Sequence, residues 1–183
     1  MLPISKYSRK AVFLDRDGVI NHAIVKDGKP YPPQNVAAVT IPSDASSALT
    51  QLSEAGFLLI VITNQPDVAR GLVSRDSVEE INHFLASCLP IDDTYTCFHD
   101  NHDLCLCRKP KPGSLLTAAQ THQIDLQQSY MIGDRWVDME AGQQAGCKTI
   151  FIDHGYAEQQ PTKMDFCVKT LTQATQLILG ETI

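Results

Sequence analysis

No apolar run in the chain approaches the ~18 residues that a membrane-spanning helix needs, so no segment reads as a span. Met1 to Lys10 is polar and basic and lacks the apolar stretch of an export signal, which makes the cytoplasm the expected location. Basic residues are outnumbered: 15 Lys and Arg against 21 Asp and Glu give a net charge of −6. That excludes a nucleic-acid backbone as the main partner. It leaves room for a small anionic substrate held in a local basic pocket. Charged residues make up only 20% and are spread along the chain, too few and too dispersed for a disordered protein. Internal repeats, low-complexity tracts and linkers are also missing, so residues 1–183 are expected to form one domain. What is present is 43% hydrophobic residues in 183, enough for a core without disulfide staples. Six cysteines occur, Cys88, Cys97, Cys105, Cys107, Cys147 and Cys167. In a reducing compartment, the close set Cys97, Cys105 and Cys107 points to metal rather than to disulfides.

Apolar and β-branched runs predict strands at Ala11–Leu14, Phe57–Ile62, Thr94–Phe98, Ser129–Ile132 and Lys148–Ile152. Helices are predicted from Ser43 or Asp44 to about Ala55, from a capping box of Ser77 and Glu80 to Cys88, around Leu115 to Ala119, over Val137–Ala145 and over Leu171–Leu179. Residues 21–42, with Pro30, Pro32, Pro33, Pro42 and the pair Asp27-Gly28, read as loop. Strand alternating with helix predicts an α/β, Rossmann-like parallel sheet with helices on both faces.

In such a sheet, ligands gather at the carboxyl ends of the strands. Four polar clusters sit at predicted strand ends: Asp15-Arg16-Asp17, Thr63-Asn64-Gln65, Cys97-x-His99 and Gly133-Asp134. Asp15, Asp17 and Asp134 meeting in one pocket would repel unless a cation binds or one is protonated. Carboxylate and carbonyl oxygens suit Mg²⁺. On its own, Asp-x-Asp-Gly also reads as a solvated turn, Lys109 as a surface lysine and Arg16 as a surface side chain.

Taken together, AVFLDRDGVIN, IVITNQPDVARG, CRKPKPG and YMIGDRWVDMEAG resemble the haloacid dehalogenase superfamily of phosphatases, over about Ala11 to Asp153. The cysteine loop followed by CRKPKPG resembles its histidinol-phosphate and heptose-bisphosphate phosphatase branch. The resemblance implies the haloacid dehalogenase fold and a small phosphorylated metabolite as partner. It implies Asp15 as nucleophile, Asp17 as general acid and base, and Mg²⁺ held by Asp15, the Asp17 carbonyl and Asp134. It also implies Thr63 and Asn64 as phosphoryl contacts and Lys109 as fixed positive charge, with Lys111 as the alternative lysine. Around them, Gln65, Arg70, Arg108, Arg135 and Asn21 are candidate substrate contacts. Two departures stand out: Asp67 where the family loop often reads SGIARG, and Arg135 where lysine is common. Asp138, four residues beyond Asp134, either orients the metal shell or caps a helix.

Cys97, His99, Cys105 and Cys107 match a closed tetrahedral Zn²⁺ site in a loop spanning about 97–112. A Cys105–Cys107 disulfide and free thiols are the alternatives. His102 is a second candidate for the imidazole, and the resemblance favours His99. Zinc here would be structural, since four protein ligands leave no open position, and it would fix Arg108 and Lys109. Cys88, Cys147 and Cys167 read as buried small apolar residues, and His22, His83, His122 and His154 as solvated. The chain leaves no room for a large cap domain between its motifs. A monomeric sugar phosphatase, most plausibly of a heptose bisphosphate, is the leading expectation. Histidinol phosphate is the alternative, hinted at by Asp67. A zinc-stabilised binding module without catalysis would require damage at Asp15 or Asp17, and both are intact.

Overall fold

The structure, a computed structural model, describes residues 9–180, so most of the basic Met1–Lys10 segment lies outside the described residues. Six strands form one parallel sheet: β1 (Lys10–Leu14), β4 (Phe57–Asn64), β5 (Asp93–Cys97), β6 (Tyr130–Gly133), β7 (Lys148–Ile152) and β8 (Phe166–Val168). Their spatial order is β5-β4-β1-β6-β7-β8. The chain builds outward from β1 first to one side and then to the other. The carboxyl end of β1, between β4 and β6, is therefore a topological switch point, where such sheets open a crevice.

Alternation along the strands sorts the core into two layers. Val12 and Leu14 of β1, with Leu59 and Val61 of β4, pack against α1 (Ala45–Glu54), α2 (Arg75–Cys88) and α5 (Leu171–Leu179). Ala11 and Phe13, with Leu58, Ile60 and Ile62, pack against α3 (Gly113–His122) and α4 (Trp136–Ala145). β1 and most of β4 are buried on both faces, which is why they read as unbroken apolar runs rather than alternating ones.

Several boundaries differ from expectation. β4 continues to Asn64, so Thr63 and Asn64 close a strand instead of opening a loop. β8 was not expected. The 21–42 loop carries a hairpin of β2 (Ile24–Lys26) and β3 (Lys29–Tyr31). Asp27 and Gly28 form its turn, both with positive φ, the conformation that a two-residue hairpin turn demands. Only Cys147 of the three isolated cysteines is buried; Cys88 and Cys167 are exposed. Helix α2 begins at Arg75, and its cap is Ser74, whose Oγ accepts from the Ser77 N–H. Ser77 lies inside the helix because the extended backbone of Ser74 leaves its oxygen free to face that N–H.

Removing that oxygen tests the assignment. Ser74→Ala is expected to lower unfolding free energy by about 1 kcal/mol, and Ser77→Ala by clearly less. Urea denaturation of both variants measures this, and equal losses would contradict the cap.

Candidate active site

The first strand delivers Asp15 to the switch point, and the chain then turns sharply. The Arg16 carbonyl accepts from the N–H groups of Val19, Ile20 and Asn21, and the Gly18 N–H donates to Asn21 O. Gly18 has a φ of +93°, and a Cβ there would collide with the Asp134 carboxylate, so glycine is required twice over. Asp134 follows β6. Asp138 lies in the first turn of α4, where its carboxylate accepts from the Arg135 N–H and caps the helix. Carboxylate oxygens of Asp15, Asp134 and Asp138 all lie within 4.8 Å of one another.

Lys109 enters from the other side. Its ammonium lies 2.6 Å from Asp15 Oδ1 and 2.6 Å from Asp138 Oδ1, and donates to Ile62 O at 2.7 Å. The Asn64 side chain receives the Lys109 N–H and donates to the Lys109 carbonyl, which fixes that residue's backbone. Lys111 is elsewhere: its ammonium donates to Cys105 O. Asp138 thus fills one of the two roles left open for it, the helix cap, and is in addition a partner of Lys109, which the sequence did not suggest.

These charges are buried and unbalanced. Burial pushes the Asp15 carboxyl up to about 6, with Lys109 opposing and Asp138 and Asp17 adding to the rise. Asp134 is raised well above the usual carboxylate range, first by burial and then by Asp15 and Asp138. For Lys109, burial pulls downward, but Asp138 and Asp15 outweigh it and leave the ammonium raised. Neither Asp134 oxygen has a hydrogen-bond partner among the described residues, although the side chain is almost fully enclosed. Orphaned buried acceptors of this kind are costly unless a cation meets them. Carboxylate oxygens are the donors that Mg²⁺ takes. The three acids fit such an ion.

The Asp17 carboxylate is outside this group. It accepts from Arg16 Nε at 3.2 Å and from another Arg16 nitrogen at 3.0 Å, from Asn21 at 3.0 Å and from Gln65 at 2.8 Å. Asn21 and Gln65 are buried behind Asp17 and do not line the cleft. The Thr63 hydroxyl, also buried, accepts from Gln65. Arg16, expected at the surface, is fully enclosed at 0% exposure.

Asp15, Asp17, Asn64 and Lys109 form the floor of a cleft of ≈ 340 Å³, with Arg70, Arg108 and Arg135 on its walls. Arg70 is paired with Asp100 and Asp67, and Arg135 is gripped at both ends by Glu158. Arg108 instead bonds Asn101 Oδ1 and the His99 carbonyl. Beside it, the Sγ atoms of Cys97, Cys105 and Cys107 and His99 Nδ1 converge. Neighbouring separations of 3.1 to 3.8 Å are too long for a disulfide. They lie near the ~3.6 Å edges of a tetrahedron drawn with Zn–S and Zn–N bonds of about 2.3 and 2.0 Å. The donor set fits zinc, and His99 rather than His102 completes it. A second cavity of ≈ 440 Å³ lies between α2 and β5, away from the carboxylates.

Known proteins resemble this chain in sequence and fold. The family described as HAD-hyrolase-like matches residues 106–174. D-glycero-beta-D-manno-heptose-1,7-bisphosphate 7-phosphatase of Helicobacter pylori is 37% identical over 147 residues, 77% of this chain and 82% of that protein. The enzyme of the same name from Pasteurella multocida is 32% identical over 188 residues, covering 94% and 98% of the two chains. The chain belongs to the haloacid dehalogenase-like phosphatases, in the family of these heptose-bisphosphate enzymes. A crystal structure of the D,D-heptose 1,7-bisphosphate phosphatase from B. bronchiseptica, complexed with magnesium and phosphate, superposes with a TM-score of 0.76 at 26% identity. It covers 94% of this chain and 99% of its own.

Within this family member, the segment after β7 also reaches the site, which sequence reading missed. His154 Nε2 lies 2.7 Å from Gly18 O, Tyr156 stands beside Asp134, and Glu158 holds Arg135. The available signal was positional: this segment too follows the carboxyl end of a central strand.

A pH dependence follows from Asp15. Its folded pKa of about 6 exceeds the ordinary 3.8, so the unfolded chain releases its proton first. Stability contributed by the protonated form is therefore lost as pH rises through that window. A divalent cation binds the ionised form and restores it. Added Mg²⁺ is expected to raise the melting temperature by several degrees at about pH 7.5 and much less near pH 5. Equal shifts at both would show that the ion binds elsewhere.

Proposed function

We propose that the chain is a Mg²⁺-dependent phosphomonoester hydrolase that removes the 7-phosphate of D-glycero-D-manno-heptose 1,7-bisphosphate through an aspartyl-phosphate on Asp15. The observation that carries this reading is the Asp15–Asp134–Asp138 group around Lys109 at the base of an open cleft, with Asp134 unpartnered. The names of the relatives supply the substrate.

In the first step, an Asp15 carboxylate oxygen attacks phosphorus. The bond from phosphorus to the sugar oxygen breaks, and Asp17 gives that oxygen its proton. In the second, Asp17 takes a proton from water as the water oxygen attacks phosphorus, and the bond to Asp15 breaks to regenerate the carboxylate. Lys109 holds Asp15 at 2.6 Å and sets a positive charge beside the phosphoryl oxygens. Asn64, at the end of β4, reaches the cleft and fixes the Lys109 backbone, while Thr63, also expected as a phosphoryl contact, is buried with its hydroxyl against Gln65. The Asp15 and Asp134 carboxylates and the Asp17 carbonyl would hold magnesium, which would supply charge that offsets repulsion between nucleophile and dianionic phosphate.

Arg108, without a carboxylate partner among the described residues, is the wall arginine available to a second phosphate. Arg70 and Arg135 are tied to acids and act on the substrate as paired groups. Asp67, the one hint of an amine site, is paired with Arg70. The four zinc ligands brace the loop that leads directly into Arg108 and Lys109. Among the described residues, no helix is long and apolar enough to cross a membrane.

Asp15→Asn is expected to reduce turnover of the heptose bisphosphate to background while leaving zinc content and melting temperature near those of the parent. Substantial residual phosphate release would assign the nucleophile elsewhere. Elemental analysis of reduced protein is expected to find about one zinc per chain, and none would remove the zinc assignment.

A further inference from the structure

The buried guanidinium of Arg16 is the group that the mechanism leaves unused. It is wholly enclosed and absent from the cleft wall, so it cannot touch a substrate. A buried charge persists only where partners compensate it. Its partners are specific. Two of its nitrogens reach the two oxygens of Asp17, and its third, Nη1, donates to Asn82 Oδ1 at 3.0 Å. Asn82 sits on α2 and donates onward to the Thr96 hydroxyl on β5, also at 3.0 Å. Asn82 and Thr96 wall the cavity between α2 and β5, on the side of the sheet edge away from the three clustered acids.

We propose that Arg16, Asn82 and Thr96 form a brace that positions Asp17 for proton transfer to the leaving oxygen. The inference rests on the reading of Asp17 as the acid. A forked donor reaching both carboxylate oxygens sets the plane of the carboxyl group as well as its place. Asn82 anchors the far end of the fork to a helix, and Thr96 anchors Asn82 to a strand, so the orientation is referred to two rigid elements. The same pull keeps the Asp17 carboxylate away from the Asp15–Asp134–Asp138 group, where it would add a fourth negative charge. Arg16 and Asn82 are thus positioning residues that act only through Asp17.

Leaving-group dependence separates this role from simple support of the fold. A sugar alkoxide leaves poorly and needs the proton; p-nitrophenolate leaves readily without it. The ratio kcat/KM covers steps up to departure of the leaving group, so the later hydrolysis of the aspartyl-phosphate does not enter. Asn82→Leu is expected to lower kcat/KM for the heptose bisphosphate by about 10-fold or more, a share of the 10²–10⁴-fold that a general acid contributes. For p-nitrophenyl phosphate the loss stays below about 3-fold, because that leaving group draws little on the acid. Asn82→Asp keeps an acceptor for Arg16 and is expected to retain both rates. Thr96→Val, isosteric in a strand, gives the same selectivity at smaller size and serves if Asn82→Leu does not fold.

Asp17→Asn, measured alongside, must show the selective loss for the reading of Asp17 as acid to stand. If it does and the folded Asn82 and Thr96 variants lose both substrates alike, or neither, the brace is overturned alone. If Asp17→Asn shows no selectivity, the assignment of the acid falls and the brace with it.

Discussion

Three carboxylates and one ammonium crowd together, nearly enclosed, at the base of the cleft, and the charge there does not balance. Lys109 answers Asp15 and Asp138, while Asp134 has no cation and only the Tyr156 hydroxyl beside it. At such separations in a medium of low effective dielectric, each uncompensated pair of like charges is worth several kcal/mol. Burial first, and these repulsions after it, raise the carboxyl pKa values of the isolated fold. On the proposed reading, a cation meeting the acids and a phosphoryl group meeting Lys109 would convert the penalty into binding.

The sheet makes this crowding possible. Asp15 lies more than a hundred residues from Asp134 and Asp138, yet each leaves the carboxyl end of a central strand or the helix turn just after it. Two apolar layers, one on each face, hold those strand ends in place. Close approach is paid for in side-chain volume at two glycines. A Cβ at Gly18 would strike Asp134, and one at Gly133 would strike Asp138. Lys109 arrives on a segment with little apolar content of its own, pinned by Asn64 on one side and by the Cys97–His99–Cys105–Cys107 group on the other.

Much of this was legible in the residues because it is local or buried on both faces. AVFL followed by an acid, FLLIVI followed by Thr-Asn, and YMI followed by Gly-Asp declare both the strand and the end that carries chemistry. The hairpin at 24–31 was illegible because its strands are three residues long and largely exposed, leaving only Asp27-Gly28 as a sign. Arg16 misled because a lone arginine ordinarily stays in water; its enclosure depends on Asn82, sixty-six positions away, which no local pattern announces. Asn21 and Gln65 read as substrate contacts in the sequence, but they face Asp17 instead, which depends on where Asp17 turns. The segment 153–158 has no motif, and its part in the site depends wholly on tertiary placement.

That segment is also fastened to the hairpin. The Ala157 N–H donates to Gly28 O, and the turn glycine lies so close to Ala157 that any side chain at position 28 would press on it. Tyr156 and Glu158, on either side of Ala157, reach Asp134 and Arg135, while Lys29 and Tyr31 of the hairpin form the opposite rim. The two rims are therefore one mechanical unit. A lengthened hairpin tip would not merely enlarge the mouth; it would tug on the neighbours of Asp134. Change in the shape of the entrance is in this way coupled to the placement of Asp134.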